Sequence, residues 1–131
     1  MVNQVVNNLN VPSLLVGVNE SLDPRNLSDL EKMHLPVITA PQTVERDELF
    51  NVQVEVGAML THPNDCGHFI MAIELYADDT FLARVDLTPG SAAPCACLRI
   101  RLRQAAKGLV ACCACNLHGR WVGRKEIAVE S

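Results

Sequence analysis

The chain has only four histidines, His34, His62, His68 and His118, and each falls in a break between apolar runs. His34 sits in "EKMHLPVI", and His62 and His68 bracket the stretch "HPNDCGH". His118 stands three positions after Cys115 in "CNLHGRW", with Gly119 next. Imidazole is a frequent metal ligand, and a neighbouring thiolate favours a transition metal over calcium or magnesium. The Cys-x-x-His spacing lets both donors reach one ion from a single tight turn, and the glycine lets the backbone bend away. A single loop histidine is ordinarily a solvated side chain. Four out of four at strand ends, one beside a cysteine, point instead to a mononuclear metal site.

The other cysteines read differently. Six cysteines in 131 residues could be disulfides or thiols. "MVNQVVNNLN" lacks the positive start and continuous apolar block of an export signal, so thiols in a reducing, cytoplasmic setting are expected. Adjacent Cys112 and Cys113 cannot easily bridge each other, and their place in an apolar run marks them as buried fillers. Cys95 and Cys97 share one face of a strand and read as structural. Cys66, between two candidate ligands, reads as a spectator, a redox-sensitive thiol or a competing ligand.

Donors so far apart in sequence need a scaffold whose loops converge. Residues 1–30 are broken by Pro12, Gly17 and Pro24 and show no steady period, although "NLSDLEKM" suits a helical turn capped by Asn26 or Ser28. After residue 36 short apolar or alternating segments take over, separated by turn residues. They are "PVITA", "LFNVQVEVG", "HFIMAIELYA", "TFLARVDL", "CACLRIRLRQ", "GLVACCAC" and "RWVGRKEIAVE". Phe50, Val52, Val54 and Val56 would line one face of the second, and Leu98, Ile100 and Leu102 one face of the fifth. Seven strands without an intervening helix predict an all-β, two-sheet sandwich over 28–131, with residues 1–27 as an irregular extension.

Charge and hydropathy narrow the function. A net charge of −4 and five aromatic residues other than histidine argue against nucleic acid as a partner. The arginines of "LRIRLRQAAK" alternate with apolar residues, as on the wet face of a strand. No apolar stretch approaches the ~20 residues of a membrane helix.

Taken in order, "EKMHLPVI", "HPNDCGHFI" and "CNLHGRW" resemble the signature of the superoxide reductases, the neelaredoxin and desulfoferrodoxin family, from about residue 28 to the end. The resemblance implies a seven-stranded immunoglobulin-like β-sandwich. It also implies one mononuclear non-haem iron, cycling between Fe(2+) and Fe(3+), held by His34, His62, His68 and His118 around it and Cys115 on its axis. The activity implied is one-electron reduction of superoxide to hydrogen peroxide, with an external donor such as rubredoxin. One-iron relatives suggest a homotetramer. The first cysteine is Cys66, so the amino-terminal residues cannot hold the four-cysteine rubredoxin-like centre that many family members carry.

The family usually reads Glu-Lys-His, whereas here Met33 directly precedes His34 and moves Glu31 and Lys32 one residue further off. The resemblance gives the glutamate as a sixth ligand of oxidised iron and the lysine as the group that attracts superoxide. Backbone N–H groups of Leu117 and His118 are expected on the Cys115 sulfur, Asn116 is expected to hold the turn, and Pro36 and Pro63 to stiffen their loops. Two other readings stand beside this one: a structural zinc module on Cys113, Cys115, His118 and one more ligand, and an immunoglobulin-type interaction domain with incidental histidines.

Overall fold

The computed structural model describes residues 18–131. The first 17 residues of the expected extension lie outside them. Ser28 opens a short helix, α1 (Asp29–His34), through a capping box: its hydroxyl accepts from the Glu31 N–H while the Glu31 carboxylate accepts from the Ser28 N–H. A single-turn helix does not hold by itself in water, so this cap and the packing of Leu35 into the core keep it in place. The helix stops as the chain enters Pro36, and His34 is left at its inner end.

Nine strands follow: β1 (Pro36–Thr39), β2 (Thr43–Glu45), β3 (Phe50–Val56), β4 (Ile70–Ala77), β5 (Thr80–Asp86), β6 (Cys95–Ile100), β7 (Gly108–Cys115), β8 (Gly119–Glu126) and β9 (Ala128–Glu130). β1-β3-β6 and β5-β4-β7-β8 form the two antiparallel sheets of a sandwich, and the segments expected as strands fall in them, although the strands number nine and not seven. The additional pair is parallel, β2 with β9. It arises because the last expected strand divides at Ile127, whose side chain turns into the core while Ala128 bonds Gln42.

The core lies between the two large sheets. β3 alternates as its sequence requires, with Phe50, Val52, Val54 and Val56 buried against Ile73 and Leu75 of β4 and Leu109, Ala111 and Cys113 of β7. β4 does not alternate evenly. Its register against β7 shifts between Ile70 and Ala72, a bulge that brings both Ala72 and Ile73 into buried positions and re-aims the chain just after His68.

Two contacts fix the remaining geometry. A side chain at Gly123 of β8 would overlap the carbonyl of Pro36, so glycine there is what lets β1, and His34 just before it, lie close over β8. The described part of the extension also lies along β8: Asn19 donates to the Arg120 carbonyl at 2.8 Å, and its own carbonyl accepts from Val122 at 2.9 Å. Glu20 adds an ion pair with Arg124 at 2.9 Å.

Candidate metal centre

Three segments meet at one end of the sandwich. α1 delivers His34; the loop from β3 to β4 delivers His62 and His68; the end of β7 and its turn into β8 deliver Cys115 and His118. Asp65 shapes the middle segment, its carboxylate accepting from the N–H groups of Gly67 at 2.9 Å and His68 at 3.0 Å. Asn116 ties that loop to the turn: it accepts from the Phe69 N–H at 2.9 Å and donates to the Gly67 carbonyl at 3.0 Å. Asn116 therefore joins two donor-bearing segments, a wider role than holding its own turn. Gly119 has φ near +80°, a left-handed conformation that lets the chain turn back immediately after His118.

The four imidazoles stand at the corners of a near-square. Ring centres are 4.7 Å apart for His34–His62 and for His62–His68, and 5.0 Å for His68–His118 and for His118–His34. Across the square, His34 and His68 are 6.4 Å apart. The Cys115 sulfur is 3.4 Å from Nε2 of His62 and 3.8 Å from Nδ1 of His118, which occupy opposite corners. Donor atoms of His34, His68, Cys115 and His118 all lie within 4.8 Å of one another. His62 stands outside that mutual set, yet its Nε2 is 3.2 Å from Nε2 of His34. Burial is graded: His34, His62 and Cys115 are enclosed, His68 is half-buried and His118 is exposed.

The tautomers follow from the outer partners. Nδ1 of His34 bonds the Leu30 carbonyl at 2.7 Å and Nδ1 of His62 bonds the Pro63 carbonyl at 2.6 Å. Carbonyls only accept, so both rings donate there and both Nε2 atoms carry a lone pair. Those two lone pairs then face each other. Burial, the largest cause, holds the His34 pKa below its ordinary value and takes that of His62 down to about 4, so neither ring supplies a proton to bridge them. Nε2 of His68 is buried and lacks a hydrogen-bond partner. A cation in the middle would satisfy all three nitrogens at once, and nitrogen with thiolate sulfur suits a borderline or soft transition metal. The residues fit a metal.

Glu31 is not among the grouped donors. The two Glu31 oxygens accept from the Ser28 N–H at 2.8 Å and the Leu22 N–H at 3.1 Å, and these bonds, Ser28's first, lower its pKa. Its side chain serves the start of the helix. Lys32 is half-buried on α1, and among the described residues it has no ion pair. The hydrogen-bonding contacts of the Cys115 sulfur are with the His62 and His118 rings, in place of the expected Leu117 and His118 N–H groups.

Two neighbours of the site touch it in ways the sequence did not suggest: Trp121, which was given no role, and Cys113, which was expected to be a buried filler. Trp121 stacks on His34, with centres 5.0 Å apart and planes 23° from parallel, and its Nε1–H donates to the His118 carbonyl at 2.9 Å. The Cys113 thiol, whose pKa burial pushes up, donates to the His34 carbonyl at 3.2 Å. The sequence signal for Trp121 was its place three residues after His118 as the sole tryptophan. For Cys113 the contact joins residues 79 apart in the chain, which local pattern does not encode.

The sequence profile of the Desulfoferrodoxin family matches residues 26–124. Among solved structures, two variant forms of the superoxide reductase (neelaredoxin) from Ignicoccus hospitalis are similar to this chain. One is 36% identical with a TM-score of 0.74, covering 86% of this chain and 94% of its own. The other is 40% identical with a TM-score of 0.69, covering 76% and 82%. A superoxide reductase from Nanoarchaeum equitans is 28% identical with a TM-score of 0.64, covering 73% of this chain and 94% of its own.

Proposed function

The chain belongs to the desulfoferrodoxin family, and from that premise we propose that it is a one-iron superoxide reductase. His34, His62, His68, His118 and Cys115 are the ligands of a single iron. Residues 28–131 form the catalytic domain, with 1–27 as its extension. The observation that carries this reading is the arrangement of donors: lone pairs 3.2 Å apart on His34 and His62, an unpartnered Nε2 on His68, and a thiol sulfur 3.4 Å from His62.

Bound there, iron would supply the single electron that turns superoxide, with two protons, into hydrogen peroxide. The protein's own residues set the conditions. Four neutral imidazoles and one thiolate leave a ferrous ion one net positive charge, which attracts a small anion even though the whole chain is acidic. Five protein donors would hold the metal and leave room beside it for a small anionic substrate. The carbonyls of Leu30 and Pro63 fix two rings in the tautomer that leaves Nε2 free, and the buried Cys115 sulfur, as thiolate, would donate electron density to the metal. Exposed His118 and half-buried His68 open this end of the sandwich to water, which supplies the protons. Lys32 steers the incoming anion. The electron comes from an external carrier of the rubredoxin kind, and the working form is a cytoplasmic homotetramer.

Aerobically oxidised protein should be blue, from charge transfer between sulfur and ferric iron, and should contain one iron per chain. Stoichiometric zinc with no iron in natively produced protein would overturn the proposal. The zinc arrangement built on Cys113 is disfavoured because that thiol already donates to the His34 carbonyl. Steering by Lys32 predicts that Lys32→Ala slows superoxide consumption and flattens its dependence on ionic strength; an unchanged rate would remove that role.

A further inference from the structure

The outer face of β6 carries two thiols that the iron chemistry leaves idle. Cys95 and Cys97 are two residues apart on one strand, so both side chains stand on the same side of the sheet. Both are free; Cys97 is exposed and Cys95 half-buried. Burial raises the Cys95 pKa, with the neighbouring Cys97 and Glu55 adding to it. β6 is an edge strand and Cys95 is its first residue, so the backbone there is paired on one side only.

This pair lies at the metal-binding pole. Cys95 is opposite Glu55, and the next residue, Val56, bonds the Pro94 carbonyl at 2.9 Å and pairs with Pro36, two residues beyond His34. Asn64, between His62 and His68, accepts from the Gly90 N–H at 2.9 Å and donates to the Ala92 carbonyl at 3.2 Å, in the segment leading into β6. Hydrogen peroxide made at the iron would leave from this end.

We propose that Cys95 and Cys97 form a peroxide-oxidised dithiol site that closes reversibly to a disulfide. The proposal rests on superoxide reduction for its peroxide source, although its chemistry works with peroxide from anywhere. The exposed Cys97 sulfur, as thiolate, attacks one peroxide oxygen and the O–O bond breaks. That oxygen stays as the Cys97 sulfenic acid; the other leaves as water after taking a proton. The Cys95 sulfur then displaces the sulfenic oxygen, which departs as a second water. Two thiols and one peroxide become one disulfide and two waters, with two electrons passing from sulfur to oxygen.

Strand geometry sets the character of the bond. A rise of ~3.4 Å per residue separates the two Cα atoms by roughly 6.8 Å, the upper limit for a disulfide. Closure must shorten the strand locally, which an edge strand's first residue permits. The resulting bond is strained and readily reduced. Cys66 is also exposed but belongs to the loop that carries His62 and His68, away from a paired thiol on its own strand.

The test uses the full chain with its iron bound and its thiols reduced, treated with one equivalent of hydrogen peroxide and mapped by peptide mass spectrometry. The expected result is a Cys95–Cys97 peptide lighter by two hydrogens and restored by dithiothreitol, with Cys95→Ser instead trapping a dimedone adduct on Cys97. Oxidation confined to Cys66, or Cys97 bridging two chains, would overturn the proposal. A second arm replaces peroxide by a superoxide generator and reductant, with and without catalase. If added peroxide closes the bond and superoxide does not, the dithiol stands and the proposed reaction fails. If added peroxide leaves both thiols intact, the dithiol fails whatever the enzyme does.

Discussion

Nε2 of His34 and Nε2 of His62 face each other across 3.2 Å while each ring donates its Nδ1–H to a backbone carbonyl. Two acceptors in that position repel unless a cation lies between them or one ring takes a proton. Burial opposes the proton, so the pair is suited to a cation.

A pH dependence of the metal-free chain follows. His62 has an ordinary value of 6.5 and a folded value of about 4. Between those values the unfolded chain binds a proton that the folded chain refuses, so stability is highest above 6.5 and falls as pH drops toward 4. At ~1.4 kcal/mol per unit, the loss across the window is about 3 kcal/mol. Urea midpoints of metal-free protein measured through this range should fall accordingly. A flat profile would show that His62 is not held neutral.

Cys115→Ser separates the thiolate's electronic role from its place in the core. The Cys115 side chain is fully buried at the end of β7, and serine fits the same volume. The circular dichroism spectrum should therefore be kept. The visible sulfur-to-metal band should disappear, and affinity for cobalt(II) should fall by more than the ~10–100-fold typical of losing an outer partner of a ligand. A retained band would exclude Cys115 as a ligand.

Glu31 has a structural use that competes with the ligand role implied by the family resemblance. Its carboxylate accepts from Ser28 and Leu22 and closes the box that starts α1. Glu31→Ala should lower the denaturation midpoint through the lost cap and should leave the oxidised absorption spectrum unchanged. A shifted visible band with unaltered stability would restore the ligand role.

How legible all this was depends on whether a residue's role is local. The alternation of Phe50, Val52, Val54 and Val56 specifies a half-buried strand by itself, and the structure buries those four side chains. The positions of His34, His62, His68 and His118 outside the strands were equally visible, because turn chemistry is written in adjacent residues. The β2–β9 pair was not, since two three-residue strands from opposite ends of the domain pair only after the sandwich has formed. The shift between Ile70 and Ala72 hides in a run so apolar that either phase looks acceptable. Cys97, expected to be structural, is exposed because β6 turns that face to solvent, and only the pairing of sheets decides this.

Trp121 is where those long-range effects reach the chemistry. Its ring lies 5.0 Å from that of His34 and its Nε1–H holds the His118 carbonyl at 2.9 Å, so one side chain positions two corners of the square. Trp121→Phe keeps an aromatic face for His34 and removes the hydrogen bond together with part of the buried indole ring. It should leave most of the stability, about 1 kcal/mol being lost with that bond, while cobalt(II) affinity falls ~10–100-fold and the visible band shifts. Trp121→Ala should lose both contacts and about 3–5 kcal/mol. Because Trp121 is the sole tryptophan, its emission in the native chain should be quenched as metal is added to metal-free protein. If Trp121→Phe binds cobalt(II) as tightly as the native chain with an unshifted band, Trp121 serves packing alone.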